Sequence, residues 1–266
     1  MAPPLLKKSL GQHHLRHGGL CRPLVEFLQP AETRVVEIGP GGGVLTRELL
    51  AAGATTVVAW EYDPEWAFAL RRQTEDARLS LVVADALDLV WERCTAPTLV
   101  AGNLPYGIGT ALIERLLARA DPDSISRAAF LLQNEVAERL MAVPGNPVYG
   151  SLSVLTAARS EVRLLGKVSK GSFRPPPKVD GAFVGLTLKA PPVAGEEMAE
   201  LAATIRLAFA YRRKTLRNSL AAGWGPTRAS AVCEELGLAR NTRAQELTLA
   251  DFVRLHRANQ ERSGDS

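Results

Sequence analysis

The sequence predicts an α/β protein: a mostly parallel, doubly wound sheet with helices on both faces, followed by a small helical domain. Three observations carry this. Short apolar runs alternate with helical patterns through the first two thirds of the chain, the order that builds parallel sheets. A glycine-rich turn, Gly39-Pro40-Gly41-Gly42-Gly43, follows the first of those apolar runs. Beyond the proline-rich stretch 190–195 only helical periodicity remains, and that stretch reads as a linker.

Taken in order, residues 34–38 form a short strand that ends at the glycine turn. A helix over 44–52 follows, closed by Gly53, because glycine tolerates the left-handed conformation beyond a helix end. The next strand, 55–60, ends at Glu61-Tyr62-Asp63, and Pro64 opens a helix to about residue 76; proline is accepted in the first helical turn. A third strand, 79–84, ends at Asp85, and a fourth, 99–102, ends at Asn103. A helix over 110–120, a fifth strand over 128–132 and a helix over 135–142 come next. Residues 180–188 form a late strand able to pair as a hairpin with 162–168,. Past the linker, helices are expected over 196–222, 227–236 and 249–259. The first domain is thus expected to span 1–190 and the helical one 191–266.

Composition narrows the function classes. At 266 residues, 46% hydrophobic and 23% charged, the chain has the balance of a globular protein with a full core,. It has no apolar run near the roughly 18 residues that cross a bilayer. Lys7 and Lys8 are not followed by the apolar stretch of a secretory signal,. Cys21, Cys94 and Cys233 are scattered and odd in number, which fits a reducing cytoplasm and neither a disulfide framework nor a four-cysteine zinc site. His13, His14 and His17 cluster without a nearby cysteine or carboxylate, so no metal site is expected. The net charge of +4 and pI near 9.1 lean toward an anionic partner,.

Ligands of doubly wound sheets sit at the carboxyl ends of the strands. Those ends carry Glu37, Gly39 and Gly41, then Glu61, then Asp85, then Asn103. The glycines let backbone approach a ligand. Glu61, about twenty residues past the turn, can take both hydroxyls of a ribose. Asp85 can accept from an adenine amino group, so the set suits an adenosine-containing ligand. A dinucleotide would want Gly-x-Gly-x-x-Gly, and the third glycine falls on Val44. Glu37 instead suits a ligand with an ammonium group, such as the methionine part of S-adenosylmethionine. Tyr62 and Ala86, beside the two carboxylates, are counted with this set.

Asn103-Leu104-Pro105-Tyr106 is the most informative tetrapeptide. Asn103 can accept from an exocyclic amino group. Pro105 stiffens the turn so that the Leu104 carbonyl can point at the same group. Tyr106 offers a stacking face for a base. Loops of this type mark methyltransferases that act on exocyclic amino groups.

With these motifs in view the sequence resembles the ribosomal RNA adenine N6-dimethyltransferases. The similarity is carried by Lys7-Lys8-Ser9-Leu10-Gly11-Gln12-His13-His14-Leu15, by Val36-Glu37-Ile38-Gly39-Pro40-Gly41 and by Asn103-Leu104-Pro105-Tyr106. It extends to Leu132-Gln133-Asn134-Glu135-Val136-Ala137-Glu138-Arg139-Leu140, Tyr149-Gly150-Ser151-Leu152-Ser153-Val154 and Phe173-Arg174-Pro175-Pro176-Pro177-Lys178-Val179-Asp180. Residues 208–220 open the helical domain as in the branch that modifies small-subunit RNA. The resemblance implies a Rossmann-like class I methyltransferase domain and S-adenosylmethionine as cofactor. It implies dimethylation of two adjacent adenosines near the 3′ end of small-subunit ribosomal RNA in an assembling subunit. It also implies cofactor roles for Gln12, His13 and Leu15, and makes Phe173 the second stacking face for a flipped adenine. Lys7, Lys8, Arg16, Arg212, Arg213, Lys214 and Arg217, all of one sign, are the expected RNA contacts. Departures from the family pattern are His14 for a usual Phe, Asn134 for a common Lys, and Gly107 and Gly109 for polar residues. The competing readings are a large-subunit dimethyltransferase conferring macrolide resistance, a non-catalytic RNA-binding assembly factor on the same fold and, more distantly, a nicotinamide dehydrogenase.

Overall fold

The computed structural model describes residue 4 and residues 12–94, 97–105 and 107–264. They pack as two compact units: the described residues up to Ala137 with Ser160–Lys189, and Glu138–Arg159 with the residues from Ala190 onward.

The first unit is built on a seven-stranded sheet. A two-residue strand, β1 (His14–Leu15), and helix α1 (Arg22–Leu28) precede it. Then come β2 (Arg34–Ile38), α2 (Val44–Ala51), β3 (Thr56–Glu61), α3 (Pro64–Gln73), β4 (Leu79–Val83), β5 (Thr98–Asn103), α4 (Gly109–Arg119), β6 (Ile125–Gln133) and the start of α5 (Asn134–Met141). After α6 (Ser151–Arg159), the chain returns as β7 (Ser160–Val168), a short β8 (Phe173–Arg174) and β9 (Gly181–Leu188). The sheet order is β4-β3-β2-β5-β6-β9-β7. The first five strands are parallel and the β9–β7 hairpin joins antiparallel at the β6 edge. The sheet is therefore mixed, with the hairpin where the sequence put it. Val35, Val57, Leu99, Ala101, Ala129 and Leu131 fill the core, all close to zero exposure. Central parallel strands covered on both faces carry such unbroken apolar runs.

From β2 the chain steps to β3 and β4 on one side, then crosses back to β5 and β6 on the other. The order reverses between β2 and β5, so the crevice for a ligand opens beyond Ile38 and its register partner Gly102,. A side chain at Gly102 would stand 2.8 Å from the Ile38 carbonyl oxygen, which is why the two strand ends can lie so close.

The second unit holds α6, α7 (Gly195–Phe209), α8 (Leu216–Trp224), α9 (Pro226–Glu235) and α10 (Leu249–Gly264). The first domain expected to end at residue 190 thus cedes 138–159: Val154, Leu155 and Ala158 of α6 bury against a cluster that includes Leu201, Ile205 and Phe252. The single helix expected over 196–222 is two. Residues 210–215 form a turn in which the Lys214 amide donates to the Tyr211 carbonyl, and Thr215 caps α8 by accepting from the Asn218 amide,.

Candidate active site

A cavity of about 400 Å³ opens at the carboxyl ends of β2, β3, β4 and β5, wholly within the first unit. Gly39 and Gly41 line it from the β2 end, Glu61 and Tyr62 from β3, Asp85 and Ala86 from β4, and Asn103 and Leu104 from β5. Gln12 and His13 line it from the N-terminal segment. The structure brings together ten residues that the sequence assigned to the site.

Glu61 is 6% exposed, and both of its oxygens are held by backbone: Oε2 accepts from the Gly41 amide at 3.0 Å and Oε1 from the Asp63 amide at 2.9 Å. Burial raises its pKa, and these hydrogen bonds work the other way. The Tyr62 amide also hydrogen-bonds this carboxylate; a carboxylate has about four acceptor positions, so one already fixed in place can still receive a ribose hydroxyl. Asp85 caps a short turn, Ala86–Asp88, by accepting from the Leu87 amide at 2.8 Å through Oδ1; its Oδ2 takes no part in that cap.

At the end of β5, Asn103 donates Nδ2 to the His13 carbonyl at 2.8 Å. That bond takes one of the two amide N–H groups and fixes which end of the side chain is the oxygen, leaving Oδ1 as an acceptor,. The Leu104 amide is paired with the Leu131 carbonyl at 3.2 Å, and the Pro105 carbonyl accepts from the Ile108 and Gly109 amides at 3.1 Å each. The turn is thereby tied to β6 on one side and to the first turn of α4 on the other. Tyr106 lies outside the described residues.

The N-terminal segment is held from the far end of the unit. β1 pairs antiparallel with β8, His14 opposite Arg174 and Leu15 opposite Phe173, across a cis Arg174–Pro175 bond. The Arg16 amide donates to the Ser172 carbonyl at 3.0 Å, and His13 Nδ1 lies 2.9 Å from the Pro175 carbonyl. Three site assignments change here. Leu15 and Phe173 are core residues: Phe173 has no exposed surface, Leu15 is 5% exposed, both join the cluster around Leu24 and Leu131, and neither lines the cavity. Strand pairing turns both side chains inward. Glu37 does not line the cavity either. It is buried beneath the glycine turn, its Oε2 makes no hydrogen bond among the described residues, and burial, with Glu61 adding, pushes its pKa up to about 8.

Sequence reasoning missed the apolar wall of Ile38, Trp60 and Ile108. His14 and Pro105, which it named in their motifs without assigning them to the site, line the cavity as well. Ile38 and Trp60 stand just before Gly39 and Glu61 at two strand ends, so their position carried the signal that their chemistry did not.

The expected RNA contacts divide. Lys7 and Lys8 lie outside the described residues. Arg16 is exposed, with its Nε on the Phe173 carbonyl at 3.3 Å. Arg212, Arg213 and Lys214 are exposed in the turn before α8, not on a helix face. Arg212 reaches the Pro147 carbonyl, and Lys214 Nζ lies 4.4 Å from the Tyr211 ring centre. Arg217 is different: its Nη1 pairs with Glu234 at 3.1 Å and with Ser230 at 3.3 Å, and its side chain is only 21% exposed. Its charge is paired within the unit, which sets it apart from the exposed cations of the turn.

The described helices include none long and apolar enough to cross a membrane. A curated ribosomal RNA small subunit methyltransferase A from Paramagnetospirillum magneticum is 39% identical over 264 residues, which cover 97% of this chain and 92% of that one. A dimethyladenosine transferase structure from Plasmodium falciparum superposes with a TM-score of 0.79 over 94% of this chain and 98% of its own, at 24% identity. The 23S rRNA methyltransferase ErmE superposes with a TM-score of 0.67 over 92% of this chain and 99% of its own, at 26% identity. The family model described as ribosomal RNA adenine dimethylase matches residues 5–261, and the chain belongs to that family.

Proposed function

We propose that the chain dimethylates N6 of two adjacent adenosines near the 3′ end of small-subunit ribosomal RNA, in an assembling subunit, using S-adenosylmethionine. The observation that carries the reading is the Asn103–His13 hydrogen bond, which presents Asn103 Oδ1 as an acceptor at the end of β5 beside the Leu104 carbonyl. Two acceptors side by side suit an amino group with two hydrogens.

The cavity fits the cofactor. Glu61 is fixed to receive ribose hydroxyls, Asp85 keeps an oxygen for an adenine amino group, and the turn at Gly41, at φ +49°, has no room for a side chain. The bound cofactor supplies an electrophilic methyl group on a sulfonium. The target base must leave its stack to reach such a pocket. Asn103 Oδ1 and the Leu104 carbonyl then accept the two amino hydrogens and turn the nitrogen's lone pair out of conjugation. The amino proton becomes acidic as the nitrogen gains positive charge, so positioning supplies most of the acceleration and no strong base is required. Tyr106 is proposed as the stacking face.

The first unit carries this chemistry and the helical unit, with Arg212, Arg213 and Lys214, helps select the RNA. The acting form is a monomer in the cytoplasm. The small-subunit assignment draws on the 39% identity to a relative named for that subunit, against 26% to ErmE. The test is methyl transfer to small-subunit particles from cells lacking this protein and, in parallel, to large-subunit RNA, with the modified nucleosides mapped by mass spectrometry. Dimethyladenosine at an adjacent pair near the 3′ end is the expected product. Methylation of large-subunit RNA alone would place the chain with the resistance enzymes, and binding without transfer would make it an assembly factor.

A further inference from the structure

We propose that His14 donates a ring N–H to the carboxylate at the amino-acid end of S-adenosylmethionine, a contact that the phenylalanine usual at this position cannot make. The inference rests on S-adenosylmethionine being the ligand of the cavity.

The first support is placement. His14 lines the cavity, and its imidazole lies over the glycine turn. A Cβ at Gly41 would stand 2.6 Å from His14 Nε2, and one at Gly42 would stand 3.6 Å from Nδ1. Trp66 meets the ring edge-on at 4.4 Å between centres, with 73° between planes. The backbone around it is anchored by the Asn103 bond to the His13 carbonyl and by pairing with Arg174. The ring is thus fixed against the turn.

The second support is charge. The described residues lining the cavity include the carboxylates of Glu61 and Asp85 and no lysine or arginine. A ligand with its own carboxylate needs a donor in this acidic wall. His13 has Nδ1 engaged with the Pro175 carbonyl. The ring nitrogens of His14 make no hydrogen bond among the described residues. Burial, with His13 beside it, lowers the His14 pKa to about 4, so at neutral pH the imidazole is uncharged and carries one N–H. A neutral donor binds a carboxylate without repelling the sulfonium and ammonium of the same ligand.

The third support is orientation. Glu61 and Asp85 suit the adenosine, and Asn103 marks where the methyl group must arrive. The wall left for the amino-acid end is the glycine turn with His14 above it.

Calorimetric titration of the full chain with S-adenosylhomocysteine and with 5′-methylthioadenosine, which lacks the amino-acid end, tests this. His14→Phe should weaken S-adenosylhomocysteine about ten-fold, the scale of one hydrogen bond to a charged group. It should leave 5′-methylthioadenosine within about two-fold. His14→Asn, which keeps an N–H, should recover part of the loss. Equal losses for both ligands, or none, would overturn the proposal and leave the ring a packing element. A second measurement needs no variant: in wild-type protein the His14 imidazole ¹⁵N signals should move with S-adenosylhomocysteine and stay put with 5′-methylthioadenosine, and the same response to both overturns it. Wild-type protein that binds neither compound would instead overturn the cofactor reading on which the proposal rests.

Discussion

Asn103 and His13 stand ninety residues apart in sequence and are joined by a 2.8 Å hydrogen bond from a side-chain amide to a backbone carbonyl. The bond ties the N-terminal segment to the end of a central strand and, in the same step, orients the acceptor oxygen of Asn103. In the proposed mechanism one group therefore sets both the acceptor geometry and the position of a segment that lines the cavity.

Removing that group should damage both. Asn103→Ala should lower single-turnover methyl transfer by roughly two to three decades, the scale of one lost acceptor aimed at a reacting centre. Cofactor affinity should fall by a smaller, several-fold factor, because the His13 carbonyl loses its donor. Calorimetry run beside the transfer assay separates the two effects. Wild-type turnover in this variant would refute the role of Asn103, and a loss of affinity alone would reassign it to cofactor binding.

Glu61 gives a sharper substitution. Its two oxygens each accept a backbone N–H, so Glu61→Gln turns an NH₂ group toward one of two donors. The turn at Gly41 or the start of α3 must then shift, and the ribose loses an acceptor. S-adenosylmethionine binding should weaken by about ten- to a hundred-fold, one to two charge-assisted hydrogen bonds. Unchanged affinity would show that the ribose lies elsewhere.

The buried Glu37 makes a prediction about pH. Its pKa is pushed from the ordinary carboxylate value of 4.5 up to about 8 by burial. Between those values the folded chain holds a proton that the unfolded chain has released. The stability this group contributes is full below about pH 4.5 and is lost as pH rises toward 8, with a limiting slope of about 1.4 kcal/mol per pH unit. The ligand-free protein should melt at lower temperature at pH 8 than at pH 6, and Glu37→Gln should flatten that dependence. A wild-type slope that survives in the variant would assign the effect to other groups.

Much of this site was legible in the sequence because parallel strands end where their apolar runs meet glycine or a polar residue. Gly39, Glu61, Asp85 and Asn103 each mark such an end, and the topology does the rest by aligning those ends. What was not legible depends on pairing between distant segments. Leu15 and Phe173 sit in motifs that resemble a binding site, yet β1 and β8 zip together and bury both. The break before α8 was hidden for a different reason. Neither glycine nor proline interrupts residues 210–215, and the only local signal is Thr215 three residues before Asn218, a cap inside an otherwise helical pattern. Trp60 and Ile38 read as the apolar tails of their strands, and both lie at strand ends; that they also wall a cavity follows from the neighbouring strands.

That break matters for the proposed RNA surface. Arg212, Arg213 and Lys214 project from a turn, whereas Arg217 lies on α8 and is paired with Glu234. The two groups should therefore respond differently to substitution. Arg213→Glu with Lys214→Glu should weaken binding to small-subunit RNA and reduce the steepness of its salt dependence. Two phosphate contacts amount to a change of about 1.4 to 1.8 in the slope of log K against log salt. Cofactor affinity should be unaffected. Arg217→Ala should leave the salt slope alone and lower the melting temperature, because it strips Glu234 and Ser230 of a partly buried partner,. Filter binding across a salt series, with thermal melts of each variant, distinguishes the cases. A salt slope that changes in Arg217→Ala and not in the double reversal would move the RNA contact from the turn to the helix.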